Sequence, residues 1–229
     1  MVDFRGGKRN SSILHRGIIQ ENKSMITEIL RADYPSAINH AVDVLQHGGL
    51  VAFPTDTVYG LAALPFKGEY VEGLFSAKGR NNTRAIAILI GDFADLLKVV
   101  DHFDEASTRL AHRFWPGPLT LVVPKHSALP DALSPDETIG VRMPDHPVAL
   151  ALLRKIGPLA VTSANISGQD NANTAEEVNR QLNGRVHLIL DGGPTSGGVP
   201  STVVNCMSPS LTILREGPIS LEAIEAALS

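Results

Sequence analysis

Short apolar runs alternate with helix-length amphipathic segments along nearly the whole chain, and this alternation restricts the fold more than any other feature. Ala37, Ile38, Ala41, Val42 and Leu45 recur at helical spacing and stop at Gly48 and Gly49. Residues 50–53 then read as a buried strand closed by Pro54. The same logic predicts strands over 85–90, 119–123, 139–142, 159–162, 186–190, 202–205 and 211–214, and helices over 70–78, 93–100, 105–114, 146–156, 174–182 and 221–228. Thr174 followed by Glu177 has capping-box spacing for the 174–182 helix. Strands alternating with helices predict a single-domain α/β fold with helices on both faces of the sheet. The close spacing of the late strands adds antiparallel pairs, so the sheet is expected to be mixed. Residues 1–32 lack this periodicity, apart from an apolar patch at 26–30, and read as a poorly ordered extension; the folded domain is expected over 33–229.

Composition and absent motifs exclude several function classes. A net charge of −4 means that any nucleotide or RNA contact has to come from a local basic patch. The one cysteine, Cys206, rules out an internal disulfide and a cysteine metal cluster, and favours a reducing compartment. With no apolar stretch near the roughly 20 residues that span a bilayer, no membrane partner is expected and the default location is cytoplasmic. The P-loop, the dinucleotide fingerprint, the zincin motif and the nucleophile elbow are all missing, and the eight histidines are scattered.

The unusual residues collect in four segments. Thr55, Asp56, Thr57 and Tyr59 follow a strand, where ligand contacts of α/β sheets gather, although the same residues would also suit a plain turn. Lys78, Arg80 and Arg84 place three cations within seven residues, which suits a polyphosphate or a solvated basic loop. Trp115, Pro116, Gly117 and Pro118 make a rigid corner before Thr120, the residue there that is able to face a ligand. Thr162, Ser163, Asn165 and Ser167 crowd small polar groups after another strand, and Ser201, Thr202 and Arg215 add further hydroxyls and a cation.

The strings FPTDTVYGL, KGR, WPGPLT, IGVRMP, TSANISG, PST and REG, in that order, resemble the YrdC-type threonylcarbamoyl-AMP synthase family over roughly residues 36–220. The resemblance implies a twisted sheet with a concave basic cleft. It also implies an enzyme that makes threonylcarbamoyl-AMP and pyrophosphate from L-threonine, bicarbonate or CO2, and ATP with Mg2+ on its phosphates. The product would feed a separate tRNA-modifying threonylcarbamoyl transferase complex, with a weak direct RNA contact as a further partner. Lys78 and Arg80 would be the catalytic cations. Thr55, Tyr59, Arg142 and Ser201 would hold L-threonine, and Lys78, Arg80, Asn82, Thr120, Ser163, Asn165 and Arg215 the nucleotide.

Two departures fall in the expected substrate loop. Many relatives read K-x-R-P-x-x-x-P-L, where this chain has Asn81 and Ala85 in place of both prolines; some carry a histidine where it has Leu89. The chain also ends soon after REGPIS, without the extra C-terminal domain of the longer family type. The competing readings are a non-catalytic RNA-binding module, for which aromatics interleaved with cations are lacking, a YrdC-like domain of a hydrogenase-maturation protein, whose zinc-binding cysteines are lacking, and a paralogue with a different substrate. On the first reading, Lys78→Ala or Arg80→Ala lowers pyrophosphate release by roughly a hundredfold or more without unfolding the chain.

Overall fold

The computed structural model describes residues 25–79, 85–208 and 211–229. The strands are β1 (Glu28–Arg31), β2 (Val51–Phe53), β3 (Gly60–Ala63), β4 (Ala87–Leu89), β5 (Leu119–Pro124), β6 (Thr138–Arg142), β7 (Leu159–Ser163), β8 (Leu188–Asp191), β9 (Thr202–Asn205) and β10 (Thr212–Arg215). The helices are α1 (Ala37–Gln46), α2 (Gly68–Lys78), the single turn α3 (Leu96–Val99), α4 (Glu105–Phe114), α5 (Pro147–Ile156), α6 (Ala175–Leu182) and α7 (Leu221–Leu228). All ten strands join one sheet in the order β1-β8-β2-β3-β7-β4-β6-β5-β9-β10. The sheet is mixed: β2 runs parallel to β8 but antiparallel to β3, and β5 parallel to β9 but antiparallel to β6.

Side chains along each strand divide between two cores with period 2. Ala52, Leu61, Ala63, Ile88, Ile90, Ala160 and Ile189 join the core shared with α2, α4, α6 and α7. Val51, Phe53, Ala62, Leu89, Leu159, Val161, Leu188 and Leu190 point the other way, into a smaller core under α1 and α5. The first core continues through Leu119, Leu121, Val123, Ile139, Val141 and Val204, but the second stops at β4 and β7. Thr120, Val122, Gly140, Arg142 and Val203, on the same face beyond that line, border a cavity instead. Helices thus lie on both faces, as the sequence predicts, yet one face is left partly bare.

Two strands were not legible. Gly60–Ala63 reads as loop because Gly and Ala have low strand propensity, but its residues are all buried between β2 and β7 and paired with both. Glu28–Arg31 falls within the segment expected to be poorly ordered; it pairs in parallel with β8 from Glu28↔Leu188 to Arg31↔Asp191. The organised part of the chain therefore begins before residue 33. As an edge strand it buries little of its surface, and its alternation is correspondingly faint. The α6 cap is present as read: Thr174 Oγ1 accepts from Glu177 N at 3.2 Å, while Glu177 Oε2 accepts from Asn173 N at 2.7 Å.

His187 ties the start of β8 to the turn before β2. Leu50 N–H donates to its Nδ1 at 3.0 Å, which requires an unprotonated Nδ1. Burial holds the His187 pKa below its ordinary value, so the unfolded chain binds the proton more readily than the folded one. The stability this contributes is complete above the unfolded pKa of about 6.5 and is lost as pH falls through the lower folded value. The thermal midpoint of the native chain is therefore expected to fall more between pH 7 and pH 5 than that of His187→Asn, whose amide oxygen accepts the same bond without titrating. Parallel pH profiles for the two proteins would contradict this.

Candidate functional site

The bare half of the sheet face floors a cavity of about 370 Å3. Its floor is thin because of small residues at strand positions. A Cβ on Gly140 would stand 3.0 Å from Thr120 Cγ2 and 3.6 Å from Ala87 Cβ, and one on Gly60 would stand 2.8 Å from Val161 Cγ1. The rim comes from the loops after β2 and β7 and the segment before β9. Among the described residues the lining includes two guanidinium groups, Arg142 and Arg215, and no carboxylate.

The loop after β2 is a directional hydrogen-bond chain. Thr55 Oγ1 donates to Val58 O at 2.7 Å and accepts from Thr57 N at 3.2 Å. Its proton is thereby committed, so in its 3.0 Å contact with Thr57 Oγ1 the Thr57 hydroxyl is the donor. Arg142 Nη1 in turn donates to Thr57 Oγ1 at 3.0 Å. The Thr55 hydroxyl, read from sequence as a substrate contact, is thus saturated within the protein, although Thr55 itself borders the cavity. Tyr59 has a similar internal role. It is fully buried and its hydroxyl donates to Gly193 O at 2.8 Å, while burial pushes its pKa well up.

Arg142 projects from the end of β6 and is 6% exposed. Besides Thr57 it donates through Nε to Gly117 O at 2.9 Å and through Nη2 to Asp56 Oδ1. Burial lowers its pKa most, the Asp56 carboxylate pulls it back up, and Arg215 pushes it down again. Arg215, lowered by burial, donates to Ser201 through Nε to the carbonyl and Nη2 to Oγ, both at 3.0 Å. Ser201 Oγ lies 2.8 Å from Thr120 Oγ1, so an arginine and two hydroxyls form a line from β10 through the residue before β9 to β5.

The loop after β7 is fastened from behind by Lys78, the last residue of α2 and only 3% exposed. Its Nζ donates to Ser163 O, to Asn165 O at 2.7 Å and to Asn165 Oδ1 at 3.2 Å. Ser163 Oγ donates to Asn165 Oδ1 at 2.5 Å, and Asn165 Nδ2 to the carbonyls of Ile166 and Gln169. Lys78 and Asn165 therefore shape this loop, whereas Ser163 itself borders the cavity. Removing the Lys78 ammonium also strips donors from buried carbonyls, so Lys78→Ala is a less innocent truncation than the sequence alone implies.

Thr55, Tyr59, Thr120, Arg142, Ser163, Ser201 and Arg215 all gather at this cavity. Arg80 and Asn82 lie outside the described residues. Leu89 and Ala85, the two departures with a described position, are also in the lining. Thr57, from the segment after β2 picked out in the sequence, borders it too, as do Gly140 and Asn171, which were not singled out. Glycine inside a strand was the available signal for Gly140; Asn171 offered none.

Comparison with known proteins identifies the family. Residues 43–217 match the Sua5/YciO/YrdC family, described as telomere recombination. The chain is 43% identical over 209 residues to a threonylcarbamoyl-AMP synthase of Bacillus subtilis, covering 89% of this chain and 59% of that protein. It is 40% identical to a putative threonylcarbamoyl-AMP synthase of Mycobacterium tuberculosis, covering 82% and 87%. The structure of Pyrococcus abyssi Sua5 complexed with L-threonine superposes with a TM-score of 0.83 at 39% identity, covering 89% of this chain and 60% of that one. The chain thus spans about three fifths of the Bacillus and Pyrococcus proteins. With a family match over most of its length and relatives near 40% identity, the chain belongs to the Sua5/YciO/YrdC family.

Proposed function

We propose that the chain is an L-threonylcarbamoyladenylate synthase, a nucleotidyltransferase that joins L-threonine, bicarbonate or CO2, and ATP and releases pyrophosphate. The observation that carries this reading is the cavity wall itself: the buried Arg142 guanidinium, the more exposed one of Arg215, a set of neutral hydroxyls and no carboxylate among the described residues. Such a wall attracts anions, with no carboxylate among the described lining residues to repel them. The likeness to a Sua5 structure described as complexed with L-threonine supports the amino-acid part.

In this mechanism the substrate amine adds to CO2 with loss of a proton, giving a carbamate. A carbamate oxygen then attacks the α-phosphorus of ATP and pyrophosphate leaves. No side-chain nucleophile is required; two anions have to be brought into line and their charge offset. Arg142, with Ser201, would take the amino acid, its fork holding the carboxylate, and Arg215 with Thr120 the nucleotide side. Ser163, held by the Lys78-fastened loop, would donate or accept at the same end. Arg80 and Asn82 would serve the phosphate path, and Lys78 and Asn165 would support it indirectly by holding the loop after β7 in place.

Mg2+ would travel on the triphosphate. Among the described residues no group of three His, Cys, Asp or Glu side chains offers a metal cage, so phosphate oxygens would be its main ligands, and it would neutralise charge there. The product would pass to a tRNA-modifying transferase complex in the cytoplasm. Among the described residues no helix is long and apolar enough to cross a membrane. The lone aromatic of the described lining, Tyr59, is fully buried and gives a nucleobase nothing to stack on, which leaves the RNA-binding reading without support.

The deciding experiment is pyrophosphate release from ATP and Mg2+ with and without L-threonine and bicarbonate, with mass spectrometry of the product. Release that needs both co-substrates, together with a threonylcarbamoyl adenylate mass, is expected; threonine-independent release would defeat the proposal. A second expectation follows from the thin floor. Gly140→Val should raise the KM of a substrate by about tenfold or more by filling the cavity, with some loss of stability as Thr120 Cγ2 gives way to the new Cβ. An unchanged KM would show that the floor is not in contact with substrate.

A further inference from the structure

The buried Arg142 guanidinium has five N–H bonds, and the described residues take three of them: Nε–H to Gly117 O, one Nη1–H to Thr57 Oγ1 and one Nη2–H to Asp56 Oδ1. One N–H on each terminal nitrogen remains, on the side chain that borders the cavity. Gly117 O and Thr57 Oγ1 are neutral acceptors. Asp56 is the charged one, and its second oxygen, Oδ2, is buried with no hydrogen-bond partner among the described residues. The carboxylate therefore directs its hydrogen bonding to Arg142, at the expense of a buried oxygen left unsatisfied, an arrangement that packing alone disfavours.

The backbone beneath Asp56 is clamped as well. Gly198 N donates to Thr57 O at 2.8 Å, and the chain at Gly197 comes so near that a Cβ there would stand 2.6 Å from Asp56 O and 2.9 Å from Thr57 Cα. Asp56 is thus held on a fixed turn with its carboxylate against Arg142 and outside the cavity lining.

From this geometry we infer that Asp56 is a positioning residue: it locks the plane of the Arg142 fork so that its two uncommitted N–H bonds meet the carboxylate of the amino-acid substrate. Without it, Arg142 keeps two neutral acceptors and its charge but turns more freely. The fork then binds as a diffuse cation, and two-point recognition of a planar anion is weakened. The substrate clause rests on the function proposed above; the locking of Arg142 does not.

The test therefore reads the two separately in Asp56→Asn and Asp56→Ala. Nitrogen-15 spectra of the arginine side chains report rotation about the Cζ–N bonds of Arg142 without any ligand. Slow rotation is expected in the native protein, fast rotation in Asp56→Ala, and intermediate behaviour in Asp56→Asn, whose amide oxygen still accepts one uncharged bond. Equally slow rotation in both variants would overturn the locking. The kinetic measurement compares KM values: Asp56→Ala should raise the KM for L-threonine about tenfold or more while moving that for ATP less than about twofold. Asp56→Asn should recover part of the loss. Equal increases in both KM values, or no increase for L-threonine, would overturn the positioning role. Should Asp56→Ala not fold, Asp56→Asn carries both measurements. Absence of any L-threonine-dependent turnover in the native protein would instead defeat the proposed function and leave the rotation result standing.

Discussion

A sheet of ten strands has two faces to cover, and on one of them α1 and α5 reach only as far as β4 and β7. Everything about the cavity depends on that shortfall. Leu89 and Val161 mark the boundary, since each packs in the smaller core and also borders the open space. Beyond them, the positions that would face a helix are held mostly by small or polar residues, Gly140, Ala87, Thr120 and Arg142, beside Val122 and Val203. Apolar side chains there would leave a patch exposed to water; small and polar ones make the surface tolerable and leave room for a ligand.

Cations on a half-buried surface need partners before any ligand arrives. Arg142 leans on Asp56, Thr57 and Gly117, Arg215 on Ser201, and Lys78 on the carbonyls of the loop after β7. Groups that read from sequence as direct ligand contacts are in several cases braces for their neighbours. The Thr55 hydroxyl serves the turn, the Tyr59 hydroxyl serves Gly193, and Asn165 serves its own loop. The resulting wall is preorganised: most of its hydrogen bonds already point inward to the protein, and the few N–H and hydroxyl groups left over have defined directions.

Much of the fold was legible because its signals are local. The helices at α1, α4, α5, α6 and α7 announce themselves by apolar spacing, and the Thr174 cap opens α6 with its side-chain oxygen on Glu177 N. The β3 and β1 strands were not legible, since one is built of Gly, Leu and Ala and the other lies at an edge. Their pairing is decided by strands distant in sequence, β7 and β8.

The sequence by itself determined the alternating α/β layout, the family and the set of polar segments from which the site is drawn, because propensity, periodicity and motif order are properties of neighbouring residues. Only the tertiary structure decided which of those polar groups face the cavity and which are turned inward. That choice depends on hydrogen bonds such as Arg142 to Thr57 and Lys78 to Asn165, between residues 85 and 87 positions apart. It depends also on where two helices happen to stop covering a sheet, a matter of packing that no local pattern records.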